Sequence, residues 1–333
     1  LTRAFLEINR LSLMQRILRA GALPALLALL IGSFGCRPGP GPSTDLATRP
    51  VRVVATTSII ADLARAVGGD RVAVTGLMGP GVDPHLYKAS EGDVARMAGA
   101  DLILYNGLHL EGKMVDLFEQ MRQRGVPIYA VAEGVPEDAY LASPDYPGNY
   151  DPHLWFDVTL WMQAARYVAQ RLAALDTTHA ATYTARADAY LAELEALDRY
   201  VRDRAATIPA PQRVLITSHD AFGYFGRAYG FEVYGLQGLS TAVEAGTADV
   251  QRLADFVVAR RIPALFVESS VSPRGIEAVR AAVRARGFEV QIGDPLYSDA
   301  LGNPGTPAET YIGTVRHNID TIVRALAPSS ATP

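Results

Sequence analysis

The sequence predicts an α/β protein of two lobes, each with a mostly parallel sheet flanked by helices, joined by one long backbone helix. Three observations lead there. From residue 51 onward, short β-rich runs alternate with segments of helical periodicity, the pattern of parallel sheets covered on both faces. Between two such sets lies 159–206, a stretch with no glycine, no proline and no strand-like run. The length of 333 residues and a hydrophobic content of 49% suit two ordinary domains, at about 150 residues each, with a substantial core.

The chain opens on a segment separate from this body. Arg16 and Arg19 precede an apolar run over 20–34, which ends at Cys36, the single cysteine. A basic region followed by an apolar stretch of roughly 7–15 residues marks a secretory signal, whereas a spanning helix needs roughly 20. Ser33-Phe34-Gly35-Cys36 resembles a bacterial lipobox, so 1–36 reads as a signal peptide and Cys36 as the candidate lipidation site. Ordinary cleavage or an uncleaved anchor are the alternatives, and a start at Met14 would make 1–13 an over-extended reading frame. With Cys36 used as an anchor, no disulfide forms within the chain and no thiolate is left as a ligand.

Residues 37–50 (RPGPGPSTDLATRP) read as a flexible tether, able to reach up to ~40 Å at about 3.1 Å per residue. The formal charge of −4, with no basic block suited to phosphates, argues against nucleic acid as a partner. Removing 1–35 would take four arginines and one glutamate and leave the remainder more acidic, which suits handling of a cation.

The N-terminal lobe, 51–177, has strand candidates at 51–57, 71–77, 101–106 and 127–131, with helices at 59–67, 90–98 and 112–124. A linking helix follows over 178–207. Tyr190, Leu191, Leu194, Leu197 and Val201 fall near helical spacing, and at 1.5 Å per residue the rod is roughly 43 Å long. The alternative is an ordinary pair of helices inside one domain. The C-terminal lobe, 208–328, has strands at 213–217, 231–236, 264–268 and 288–292, and helices at 221–229, 248–260, 274–286 and 308–326.

Chemistry gathers around a tripeptide that occurs twice, Asp83-Pro84-His85 and Asp151-Pro152-His153. Proline fixes its own φ and biases the residue before it toward extended backbone, so each histidine sits on a stiffened segment. His219 follows the strand 213–217, and Asp299 follows 288–292. All four come after the carboxyl ends of strands, where open α/β sheets place ligands, two from each half. Three imidazoles and a carboxylate suit Zn²⁺ and accept Mn²⁺ or Fe²⁺. Asp83 and Asp151 are either partners of those histidines or caps of their own turns. His109 is a rival ligand, while His179 and His317 read as structural. For an enzyme, the chain shows no HExxH, no Gly-x-Ser-x-Gly elbow and no P-loop. Four protein ligands also close a tetrahedral site that catalytic zinc leaves open to water.

The segments 76–87, 100–111, 151–158, 218–233, 235–245 and 296–302 resemble the metal-binding lipoproteins of ABC importers, the cluster A-I group, and within it the TroA-like zinc/manganese members. The resemblance covers about 51–327. It implies a metal buried between the lobes on His85, His153, His219 and Asp299, and it sets His109 aside. Manganese-type relatives often carry Glu where His219 stands, which favours zinc competence. Zinc-dedicated relatives often carry a histidine-rich loop, and 131–150 has acidic residues but no histidine. The function implied is capture of Zn²⁺ and/or Mn²⁺, with Fe²⁺ as a third candidate, by a monomeric, lipid-anchored extracytoplasmic protein that delivers it to an ABC permease and its ATPase. An adhesin role would be compatible with this, and a secreted metallohydrolase using the same residues is the alternative.

Overall fold

The structure is a computed structural model that describes residues 46–143 and 147–327; the signal segment and Cys36 lie outside the described residues. Residues 46–50 are not free tether: the Arg49 guanidinium donates to Asp101 at 2.6 and 3.0 Å, and the carbonyls of Leu46 and Arg49 accept from Arg71.

The first lobe alternates β1 (Val51–Ala55), α1 (Ser58–Gly68), β2 (Val72–Gly76), α2 (Glu91–Ala98), β3 (Leu102–Tyr105), α3 (Val115–Gln123) and β4 (Ile128–Ala130). The strands form one parallel sheet in the order β2-β1-β3-β4, with Val53 flanked by Val74 and Leu102. β1 is valine-rich and, apart from exposed Arg52, buried, as expected of a strand covered on both faces. Helix starts are locally written: Thr57 accepts from Ile60 N–H ahead of α1, and Ser90 with Asp93 forms a reciprocal capping box ahead of α2.

α4 (Val158–Leu175) and the long α5 (Ala180–Ala206) then run back to back. Asp176, in the turn between them, accepts from His179 Nδ1 (2.9 Å), Tyr183 (2.8 Å) and Arg71 (3.2 Å), so His179 belongs to this joint. α5 buries Tyr183, Ala187, Tyr190, Leu191, Leu194, Leu197, Val201 and Ala205, a stripe at three- and four-residue spacing.

The second lobe has β5 (Val214–His219), α6 (Gly223–Tyr229), β6 (Glu232–Gln237), α7 (Thr247–Arg260), β7 (Ala264–Leu265), α8 (Arg274–Ala285), β8 (Gln291–Ile292) and α9 (Tyr311–Leu326). β5 pairs with β6 and β7 with β8, all parallel. Phe266 N–H donates to the Ile216 carbonyl at 2.9 Å, laying β7 beside β5. The arrangement β6-β5-β7-β8 thus repeats the strand order of the first lobe. β7 and β8 are shorter than the apolar runs 264–268 and 288–292 suggest, because the ladder breaks after two residues and resumes only at the Glu268–Leu296 bridge. The last helix starts at Tyr311 rather than 308, where the Thr310 hydroxyl accepts from Gly313 N–H.

One hydrophobic core runs through both lobes, joining Val53 and Leu102 of the first sheet to Leu215 and Phe266 of the second by way of α4, α5 and α9. Two smaller clusters lie under the outer helices of each lobe. Among the described residues, no helix is long and apolar enough to cross a membrane.

Candidate metal centre

The two Asp-Pro-His segments make the same local turn. Asp83 Oδ1 accepts the His85 backbone N–H at 2.9 Å, and Asp151 Oδ1 accepts that of His153 at 2.8 Å. Each aspartate therefore bonds the backbone two residues on, across a proline that has no N–H to compete. The turns sit beyond the carboxyl ends of β2 and β4. His219 is the last residue of β5, and Asp299 lies in the loop after β8.

These four residues meet, all buried, with one donor atom of each within 4.8 Å of the others. His85 Nε2 and His153 Nε2 stand 3.3 Å apart. Asp299 presents Oδ1 to His153 Nε2 at 3.6 Å and Oδ2 to His219 Nε2 at 3.4 Å. Adjacent donors of a tetrahedron with metal bonds of ~2.0–2.1 Å stand about 3.3–3.4 Å apart, so the His85–His153 and His219–Asp299 pairs have the spacing of neighbouring zinc ligands, within a cluster no wider than 4.8 Å. His219 Nε2 and Asp299 Oδ1 are buried without a hydrogen-bond partner. Such orphaned atoms call for a missing partner, and a cation among them satisfies both.

Behind the donors stand carboxylates. Asp151 Oδ1 lies 2.7 Å from His153 Nδ1, so it grips both the ring and the backbone of that residue. Glu268 does the same for His219: Oε1 accepts the backbone N–H at 2.8 Å, and Oε2 lies 2.6 Å from Nδ1, an ion-pair approach rather than an aligned hydrogen bond. These contacts leave Nε2 as the free donor of each ring. Asp83 departs from the pattern: its second oxygen accepts from Thr241 at 2.6 Å, in the other lobe. The Trp155 indole meets the His153 ring edge-on at 5.3 Å and donates to the Ser298 carbonyl at 3.0 Å, next to Asp299.

The electrostatics divide the histidines. Burial pushes the His85 imidazole down to about 3, leaving it neutral with its lone pair available. Burial acts the same way on His219, but Glu268 and Asp299 outweigh it and hold that imidazole well above its usual value. Burial pushes Asp299 up, and the His219 charge more than reverses this, keeping it ionised.

His109 is not in the cluster. It is exposed in a turn where Gly107, Leu108 and His109 all take left-handed φ of 88°, 51° and 64°. Glu111 holds that turn by accepting from the Asn106 N–H (2.8 Å) and the Thr56 hydroxyl (2.6 Å). His317 lies 3.1 Å from the Pro295 carbonyl, away from the site. Sequence reasoning missed Glu268, whose one signal was a lone acid closing the apolar run Ala264-Leu265-Phe266-Val267, and it missed Thr241 altogether.

Residues 53–325 match the family described as ZnuA, zinc-uptake complex component A, periplasmic. "Zinc-binding protein TroA" of Treponema pallidum is 51% identical over 275 residues, 83% of this chain and 88% of that protein. "Manganese-binding lipoprotein MntA" of Bacillus subtilis is 45% identical over 309 residues, 93% of this chain and all of that protein (100%). The solved structure of the periplasmic zinc-binding protein TroA from T. pallidum superposes with a TM-score of 0.81 at 50% identity, covering 84% of this chain and 100% of that one. The parallel two-lobed fold, the long helix and the extent of these matches agree: the chain belongs to the ZnuA family.

Proposed function

We infer that the protein is the extracytoplasmic solute-binding component of a metal ABC importer, capturing Zn²⁺ and/or Mn²⁺ between its lobes and passing it to a permease driven by an ATPase. The observation that carries this reading is the buried convergence of His85, His153, His219 and Asp299, with one donor atom of each within 4.8 Å of the others. In this reading these four are the ligands, 51–177 and 208–328 are the lobes, 178–207 is the connector, and Cys36 carries a lipid anchor. The protein acts as a monomer and does no covalent chemistry, since four protein donors suit capture better than a site that holds water for catalysis. The relatives named above as zinc- and manganese-binding support cargo of this class. Zn²⁺ outranks Mn²⁺ at most N/O sites, so tight zinc binding alone does not identify the physiological cargo.

The test is elemental analysis of protein purified from its own host, followed by competitive Zn²⁺/Mn²⁺ titration of the stripped protein. One equivalent of metal is expected. His153→Ala should lower affinity by orders of magnitude and leave a folded protein; unchanged stoichiometry and affinity in that variant would overturn the site.

A further inference from the structure

The two Asp-Pro-His turns are tied to the second lobe very differently. On the His153 side, buried hydrogen bonds cross between the lobes in several places. Tyr224 accepts from Leu141 N–H and donates to the Asp151 carbonyl, both at 3.0 Å, and Trp155 reaches Ser298. Tyr311 donates to the Trp155 carbonyl at 2.6 Å. On the His85 side, among the described residues, the side-chain hydrogen bond that crosses is Asp83–Thr241 at 2.6 Å, with Gly81 lying close to the Ser269 carbonyl.

Thr241 is buried, but the segment that carries it is a surface loop, 238–246, between β6 and α7. Val243 in that loop is 64% exposed, and Leu86, next to His85, is 44% exposed. The loop is anchored at its ends, where the Gly238 carbonyl accepts from Asp220 N–H at 3.3 Å and Gly246 N–H donates to Asp249 at 2.7 Å, with Leu239 buried. Around Thr241 its own contacts are long ones, Gln237 Nε2 to the Val243 carbonyl and Ala242 N–H to Ser240 Oγ, each 3.3 Å. The site is therefore walled by packed structure behind His153 and His219 and by two loops in front of His85. Asp83 is the shared piece: one oxygen orients the His85 backbone, and the other is held from across the cleft.

We propose that Thr241 is a positioning residue that, through Asp83, bars the His85 side of the centre, so that metal enters and leaves only when this cross-lobe hydrogen bond opens. The idea rests on the metal-capture reading and adds the route and its bar. A hydroxyl-to-carboxylate bond is of the stronger, charge-assisted kind. It is also the contact that a loop of this exposure can release without disturbing the core. A bar across this loop-lined side slows passage in both directions, so it acts on rates more than on affinity.

The experiment is stopped-flow kinetics of Zn²⁺ on the intact protein, with release followed into excess chromogenic chelator, and with Kd measured separately by competition. Thr241→Val keeps the shape and removes the donor. It should speed association and dissociation together, by about ten- to a hundredfold, the range open to a hydrogen bond with a charged partner, while Kd moves by less than either rate. Thr241→Ser should restore the original rates. Unchanged rates in Thr241→Val would overturn the proposal, as would faster dissociation matched by an equal loss of affinity, which marks a weakened ligand instead. If Thr241→Val does not fold, Thr241→Ala carries the same comparison. A native chain that takes up no zinc would bring down the capture reading and this proposal together, whereas one equivalent bound with unchanged variant kinetics removes the bar alone.

Discussion

His219 stands between two carboxylates, Glu268 on its Nδ1 side and Asp299 on its Nε2 side, all of them buried. Against the burial that would push it down, these charges raise its proton affinity well above the ordinary range and favour the protonated, metal-free imidazole. Metal requires the neutral ring, and binding must expel that proton. His85, held down to about 3 by burial, has none to give near neutral pH. Calorimetry at pH 7 in two buffers of different ionisation enthalpy should therefore show proton release on metal binding, with apparent affinity rising with pH until the raised value is passed. In Glu268→Gln the release should fall and affinity drop about 10–100-fold, the usual effect of losing a partner behind a ligand. Equal proton release in both proteins would refute this assignment. The four clustered residues were legible because the Asp-Pro-His repeat and the strand-end positions are local in sequence. Glu268 was not, since its role exists only after β7 is laid beside β5, bringing it against a backbone 49 residues earlier.

At the scale of elements, α5 was readable for the same reason that it is stable. Leu191, Leu194, Leu197 and Val201 keep one face on α4, α1 and α9, and that spacing is written in the sequence. β7 and β8 were readable as apolar runs but not in length, because an apolar run reports burial and not which carbonyls find partners. Leu194 is fully buried, whereas Glu195 beside it is exposed. Leu194→Ala should cost about 2–5 kcal/mol and Glu195→Ala less than about 0.5, measured as denaturant midpoints with unchanged slope. Both variants should still bind one metal, since neither residue reaches the centre. A Leu194→Ala midpoint equal to that of the native protein would mean that the helix is not seated on the core as described.

For the whole molecule, the decisive feature is that the largest core is shared by the two lobes, each of which adds a smaller cluster of its own. Val53 and Leu102 of one sheet and Leu215 and Phe266 of the other belong to one buried cluster, with α5 running through it. α9, the last element of the chain, is bonded back to the first lobe: Tyr311 N–H donates to Asp62 of α1 at 2.9 Å and Tyr311 OH to the Trp155 carbonyl. Just before α9, Leu301 N–H donates to Ser58 Oγ at 2.9 Å. A wide hinge motion would have to strip apolar side chains from this cluster, each worth roughly 1.5–3 kcal/mol when fully buried. A few such residues would exhaust the 5–15 kcal/mol by which a folded domain is usually stable. Metal exchange must then proceed by loop movement at the His85 side, with the lobes nearly fixed. Small-angle scattering should give a radius of gyration near the ~19 Å expected of a folded body of this length, with metal-free and Zn²⁺-loaded forms differing by less than about 0.5 Å. Hydrogen exchange should change on metal addition mainly in 79–88 and 238–246, while amides of α4 and α5 stay protected in both forms. A contraction of several ångströms on loading would mean that the shared core parts, and that the lobes close on metal as separate bodies.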